Sequence, residues 1–568
     1  MGHRTFETDR ISPSDLESLK QSNNAPLPSQ VDAIRGMIAQ HKEDLDTLDL
    51  QVTNLKNYKQ YLLDQVTRVE GIIEELRQQH ERTCSAIQEK QTILSPVRRL
   101  PSEVLSEIFL QMVNRPIQRV LAGQESPYWS FLPVQNTLTS IELVSRYWHQ
   151  TVLSVPHLWS YVNILITERN FRDGPHGVIR RIAQQICRSK LYPLSLCIGC
   201  TQEAQSKITN LPLPLTTILH MVASRTKELH LYVPFSMFSH LASLELSFPL
   251  LDKLVLLLRD ISAESHCRLF GDAPKLRVVE VIDVANPSFS FELPFAQIRH
   301  FRSKHVHKIA PIAFRRRGPW PSDLLDFLDV ATGLETCAVE LEMGNEDVWI
   351  AQHRAESYPV LCRRLNSLNV SSSFPKDHAP KNAMKQFFNG LVLPAVSSIK
   401  AACLVGHQER EEEAVFTSLR QLLDRSKQPL TTLHFTHGRV LPEDLLHILR
   451  ITPTIEDLRL LDVGPGTITG QILDDLNASK DNYIAPRLHT LHLSGELDFP
   501  TEKFVGMVES RWTLAENRLK DTYLCLFAAY KEPNAEEIAR LKSLLVLHQR
   551  RAQGISFDLI PRRHKCPH

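Results

Sequence analysis

A six-residue unit of the form LxxLxL returns along the chain between residues 226 and 493, and a short strand repeated at such intervals has few folds open to it. The good copies are TKELHL (226–231), LASLEL (241–246), LRVVEV (276–281), LNSLNV (365–370), LTTLHF (430–435), IEDLRL (455–460) and LHTLHL (488–493). Weaker copies are FAQIRH (295–300), LETCAV (334–339) and VSSIKA (396–401). Alternation of apolar residues inside a unit predicts a strand with one face inward. The segments between units often carry a helical stripe, as in LPEDLLHILR (441–450) and DLLDFLDV (323–330). A proline stands shortly before several units, at Pro274, Pro429 and Pro486. Strands alternating with helices predict parallel pairing.

Over residues 166–508 this pattern resembles leucine-rich repeats of irregular length. The resemblance implies an α/β solenoid with parallel strands and an extended concave surface suited to gripping a protein. A generic α/β domain with parallel strands is the alternative. His230, His434 and His492 fall between the apolar positions of their units, so they are expected on the opposite face, near one surface.

Ahead of the repeats, residues 31–93 predict one long helix. No proline interrupts Val31 to Ile87. With Leu45 at a, the a-positions are Val31, Ile38, Leu45, Val52, Lys59, Val66, Ile73, His80 and Ile87. The d-positions are Ile34, His41, Leu48, Leu55, Leu62, Val69, Leu76 and Thr83. Such a seam reads as a coiled coil, and β-branched residues at a with Leu at d favour a parallel homodimer. The helix could instead fold back on its own chain. Lys59, His41 and His80 weaken the seam and can fix its register. Gly36 and Gly71 fall at f, on the outer face. Ser95-Pro96 predicts its end, because the residue before proline leaves the α region. Residues 1–30 are expected to be disordered.

Between helix and repeats, residues 94–112 read LSPVRRLPSEVLSEIFLQM. Val104, Leu105, Ile108, Phe109 and Met112 lay a wide apolar stripe along a predicted helix, with Pro101 and Glu103 suited to its first turn. Residues 138–166 read LTSIELVSRYWHQTVLSVPHLWSYVNILI, a second stripe closed by Pro156 and followed by a β-rich run. The order LPxEvLxeIF, lvSrxW, PxLWsxi resembles the F-box domain in the form common in mushroom-type fungal proteins, over residues 94–165. That resemblance implies a small all-α module docking the Skp adaptor of a cullin–RING ubiquitin ligase. The residues matching its motifs are Leu100, Pro101, Val104, Leu105, Ile108, Phe109, Val144, Ser145, Trp148, Leu158 and Trp159. Part of this set must hold the helices together. Trp148 is read as internal, Leu100 and Pro101 as outward. Residues 114–136, between the first two helices, read as a loop insert. Residues 509–568 read as a helical cap and tail.

Other chemistry finds little footing. With 65 basic and 64 acidic residues, no global field draws the chain to nucleic acid or membrane. The longest aliphatic run, Leu254 to Leu258, is too short to span a bilayer. Ten scattered cysteines and a polar N-terminus fit the cytosol or nucleus. Cys197 and Cys200 form a CxxC inside a strand-like LSLCIGC, where buried thiols are expected, and no metal is predicted. The run Gly464 to Gly470 lacks the Lys-Ser/Thr ending of a phosphate loop. Arg315-Arg316-Arg317 reads as a solvated loop. No catalytic constellation, HExxH or GxSxG occurs, and no cofactor is expected. The chain thus reads as an α+β multidomain protein: a coiled-coil helix, an F-box module, then the repeats. The implied function is a non-enzymatic substrate receptor that binds the Skp adaptor, through it a cullin, and a protein substrate. A coiled-coil and repeat scaffold without a ligase role is the alternative.

Overall fold

The computed structural model describes residues 11–526 except 23, 95, 122–131, 169–175, 202–209, 212, 260–267, 283–291, 305–320, 343–358, 374–382, 405–412, 465, 480–482, 496–498, 500, 514–518 and 520. The chain divides into two units, Met1–Pro101 and Ser102–His568.

The first unit is helical. Helix α1 spans Pro13–Ser22 and helix α2 spans Pro28–Leu94. The expected disorder of residues 1–30 is therefore corrected over α1 and over residues 28–30, which open α2. The Ser12 hydroxyl accepts the Asp15 amide at 3.2 Å and Pro13 opens the helix, a capped start. At 67 residues α2 is roughly 100 Å long. It ends as the Ser95-Pro96 step requires, and a 3-10 turn follows at Pro96–Arg99.

The second unit opens with three helices: α3 (Ser102–Leu121), α4 (Leu132–Glu142) and α5 (Arg146–Ser154). The expected loop at 114–136 is helical at both ends, with α3 running on through 114–121 and α4 starting at Leu132. Its middle lies outside the described residues. A 3-10 turn at Pro156–Trp159 leads into the sheet.

The sheet has thirteen strands, all parallel: β1 (Tyr161–Ile166), β2 (Leu194–Cys200), β3 (Thr226–Pro234), β4 (Lys253–Arg259), β5 (Val278–Ile282), β6 (His300–Lys304), β7 (Thr336–Glu342), then β9 (Ser367–Ser373), β11 (Ser398–Leu404), β12 (Thr432–Gly438), β13 (Asp457–Val463), β14 (Thr490–Gly495) and β15 (Asp521–Leu526). The short strands β8 (Val360–Leu361) and β10 (Leu391–Val392) pair separately. Within the large sheet the strands lie in sequence order, each beside its predecessor and successor.

One backbone device repeats from strand to strand. From β5 to β14, two amides of each unit donate to a single carbonyl of the unit before. Thus Arg299 and His300 donate to Arg277, Glu335 and Thr336 to Arg299, and Asn366 and Ser367 to Glu335. The series continues through Asn366, Ser397, Thr431 and Glu456 as acceptors. Units that satisfy one another's backbone groups this way hold a common register.

In LRVVEV, LNSLNV, LTTLHF, IEDLRL and LHTLHL the first apolar residue is buried just before the strand and the other two are buried along one face of it. Leu276, Leu365, Leu430, Ile455 and Leu488 are buried, as are Leu368 with Val370 and Leu458 with Leu460. Helices such as Glu413–Ser426 and Pro442–Ile451 pack against one another in the connections. Three segments differ from expectation, the first being FAQIRH, a 3-10 turn at Phe295–Gln297 that meets β6 only at His300. LASLEL is no strand: it is the end of helix Phe235–Ala242 and the turn after it. The strand of that repeat is β4, which holds the aliphatic run 254–258. Residues 521–526, read as helical, form β15 beside β14, while the remainder of the predicted cap beyond 526 lies outside the described residues.

Candidate docking surfaces

The module α3–α5 is built around a few side chains that sequence had offered to a partner. Leu105, Phe109 and Val113, spaced four apart, are fully enclosed and form the inner stripe of α3. Trp148 at the start of α5 is half-buried, its ring 4.9 Å from that of Phe109. Leu158 and Trp159 are buried too. The Trp159 indole donates to the Val152 carbonyl at 2.9 Å. Its other side carries the Arg188 guanidinium, 4.3 Å from the ring centroid. Arg188 also reaches Glu142 at 3.2 Å, so Trp159 ties α4, α5 and helix His176–Arg188 together. Leu105, Phe109, Leu158 and Trp159 are thus corrected from partner contacts to core residues. Ser145 serves the chain as well: its hydroxyl accepts the Trp148 amide at 3.1 Å and caps α5, a bond worth about 1 kcal/mol.

The outer stripe of α3 stays open. Val104, Ile108 and Met112 are 44%, 39% and 41% exposed at successive helical turns. At the corner between α4 and α5, Leu143 is 81% and Val144 58% exposed, with Tyr147 beside them also exposed. The contact of Trp148 with Phe109 brings the start of α5 against α3. Of the residues named from sequence, Val104, Ile108 and Val144 keep exposed apolar surface. Pro101, which closes the first unit, is exposed, and Leu100 is half-buried. Sequence reasoning left out Leu143 and Tyr147. The signal for Leu143 was its place in a Leu-Val pair directly before the Ser145 cap, between the two helices.

A second surface is polar. On the face of the sheet opposite the LxxLxL core, Arg302, Ala338, Asn369, Lys400, His434, Arg459, His492 and Tyr523 occupy one register position across eight adjacent strands. Arg302, Asn369 and Lys400 are exposed, and His434, Arg459 and His492 partly so. Asp457 lies one row below. Burial would raise its carboxyl, but hydrogen bonds and charge from His434, at 2.9 Å, and Arg459, also at 2.9 Å, hold it well below the usual range. These contacts fix the two basic side chains in place.

The same row changes character toward β3. His230 is buried, against the expectation that it lies near a surface, and hydrogen-bonds Glu228 at 3.2 Å and Tyr232 at 3.3 Å. Glu228 also takes Lys253 at 2.6 Å and Ser195 at 3.0 Å. Burial again pushes its carboxyl up, and His230 with Lys253 outweigh it and keep the group charged. Cys197 and Cys200 are buried in β2, as the strand-like spacing predicted.

In the loop resembling a phosphate site, the buried Thr467 hydroxyl turns back to the Gly464 carbonyl at 2.9 Å. Arg315, Arg316 and Arg317 lie outside the described residues, as does the tail His564 to His568. Among the described residues no group of three His, Cys, Asp or Glu could hold a metal ion, and no helix is long and apolar enough to cross a membrane. No protein-family model matches the chain, and no curated protein matches it.

Proposed function

We propose that this chain is a substrate-receptor subunit of a Skp–cullin–F-box ubiquitin ligase. The observation that carries the reading is the divided stripe of α3: Leu105 and Phe109 inward, Val104, Ile108 and Met112 outward, on the helix whose sequence is SEVLSEIF. A row of apolar side chains held open by a packed inner row suits a permanent protein partner. In this reading Val104, Ile108, Met112, Leu143 and Val144 supply the apolar anchors, and Pro101 and Leu100 extend the motif.

The sheet is then a leucine-rich-repeat-like solenoid, a reading supported by thirteen parallel strands in chain order and by the repeated carbonyl device. Its polar row, with Arg302, Lys400 and Arg459 among neutral and imidazole side chains, is the surface assigned to the protein substrate. The chain does no chemistry itself and acts by bringing substrate and conjugating enzyme together.

The test is co-purification of the full chain with the adaptor. Val104→Asp with Ile108→Asp is expected to abolish adaptor recovery while circular dichroism stays unchanged. Leu100→Ala with Pro101→Ala is expected to do the same. Undiminished recovery from both double variants removes the assignment. Adaptor recovered without any cullin favours a scaffold that holds the adaptor outside a ligase.

A further inference from the structure

The seam of α2 is exposed from Ile38 onward, while Val31 and Ile34 are half-buried. Leu45, Leu48, Val52, Leu55, Leu62, Val66, Val69, Ile73 and Leu76 are all exposed. From Ile38 to Leu76 the exposed stripe is roughly 57 Å long, far more than scattered surface residues account for. The residues beside and within it decide what can cover it.

A parallel, in-register copy is a poor fit. There each seam residue meets itself, so Lys59 faces Lys59, His41 faces His41 and His80 faces His80. The flanks add nothing. Asp44 at g meets the partner's Asp49 at e, and no flanking pair of that arrangement carries opposite charges.

An antiparallel copy with Leu45 opposite the partner's Leu62 fits from Val31 to Leu76. Val31 then faces the partner's Leu76, Ile38 the partner's Val69, Val52 the partner's Leu55 and Ile34 the partner's Ile73. Lys59 meets the partner's Leu48, along which its stem can lie while the ammonium reaches water. His41 meets the partner's Val66. On one flank Asp49 comes beside the partner's Lys56 and Arg35 beside the partner's Glu70, opposite charges in both cases. On the other flank Met37 meets the partner's Ile72. A shift of one heptad either way is poorer. One sets Lys56 on Lys56 and Arg35 on Arg77 against a single opposite-charge pair, Lys42 with Glu70, and the other sets Asp49 on Asp49 and Lys42 on Lys56.

We propose that α2 pairs with α2 of a second copy of this chain in an antiparallel coil centred between Thr53 and Asn54. The orientation expected from residue types at a and d alone is reversed, because those preferences ignore which residue lies across the seam. The pairing does not depend on the ligase reading.

Sedimentation equilibrium of the full chain tests it through a variant for which the two orientations predict opposite signs. Asp49→Lys sets a second ammonium against the partner's Lys56, twice in the antiparallel pair, and is expected to weaken dimerisation roughly tenfold. Adding Lys56→Asp is expected to restore it to within about threefold of the wild type. In a parallel pair, Asp49→Lys would instead relieve the clash with Asp44 and tighten the dimer. Circular dichroism of each variant checks that the helix is retained. The proposal is overturned by a wild-type chain that stays monomeric at tens of micromolar. It is equally overturned if Asp49→Lys leaves dissociation unchanged or tightened, or if the double variant does not recover.

Discussion

Glu228 is a carboxylate that its surroundings would neutralise were it alone, and His230 and Lys253 keep it ionised. Its folded-state proton affinity is therefore below the unfolded one, so its contribution to stability is present above the carboxylate range and lost as pH falls through it. Glu228→Gln is expected to lower stability by about 1–2 kcal/mol at pH 7. The gap to the wild type should narrow as pH drops below about 4. Urea midpoints of both proteins at pH 7 and pH 3 measure this, and an equal gap at both would contradict the role assigned to His230 and Lys253. At this scale the sequence was only half legible. Periodicity marked Val104, Leu105, Ile108 and Phe109 as one apolar stripe, but a stripe wide enough to serve two neighbours does not say which edge each will face. The division is set by α5, whose Trp148 covers Phe109 and leaves Ile108 open.

Elements were most readable where one face is buried and the other wet. LNSLNV, LTTLHF, IEDLRL and LHTLHL each became a strand. β4 escaped notice because Leu254, Val255, Leu256 and Leu257 are all buried, which erases alternation. LASLEL matched the pattern yet ends a helix, since six residues cannot separate strand spacing from helix spacing. β15 was hidden in a window that reads as helix, and its pairing with β14 decided the outcome. For α2, heptad spacing and the proline stop gave the element and its end. There, Gly36 and Gly71 have no neighbour within 4 Å of an added Cβ. Gly36→Ala with Gly71→Ala is expected to raise helix stability by about 1–2 kcal/mol in total. Thermal melting followed by circular dichroism should show α2 unfolding at higher temperature.

At the scale of the molecule, each strand of the large sheet pairs only with the strands before and after it in that sheet, so on the repeat reading proposed above stability is close to a sum of unit and interface contributions. Ile399, fully buried in β11, lies mid-sheet. Ile399→Ala should cost about 2–4 kcal/mol. Hydrogen exchange should show the loss of protection concentrated in β9, β11 and β12, and fading toward β1. Uniform loss across all strands would mean the sheet behaves as one indivisible block. The overall plan was legible because repetition multiplies a weak signal. The loop expected at 114–136 was not, since its proline and glycine content suggested a break where α3 in fact carries Pro116 within its length.

Strand starts fall 22 residues apart from Val278 to His300 and 36 apart from His300 to Thr336, yet the paired amides and their shared carbonyl recur at both steps. The ladder thus acts as a ruler that ignores how much chain lies between its marks. Evolution can lengthen or trim any connecting stretch, and so retool the rim of the molecule, without resetting the alignment of the strands that follow.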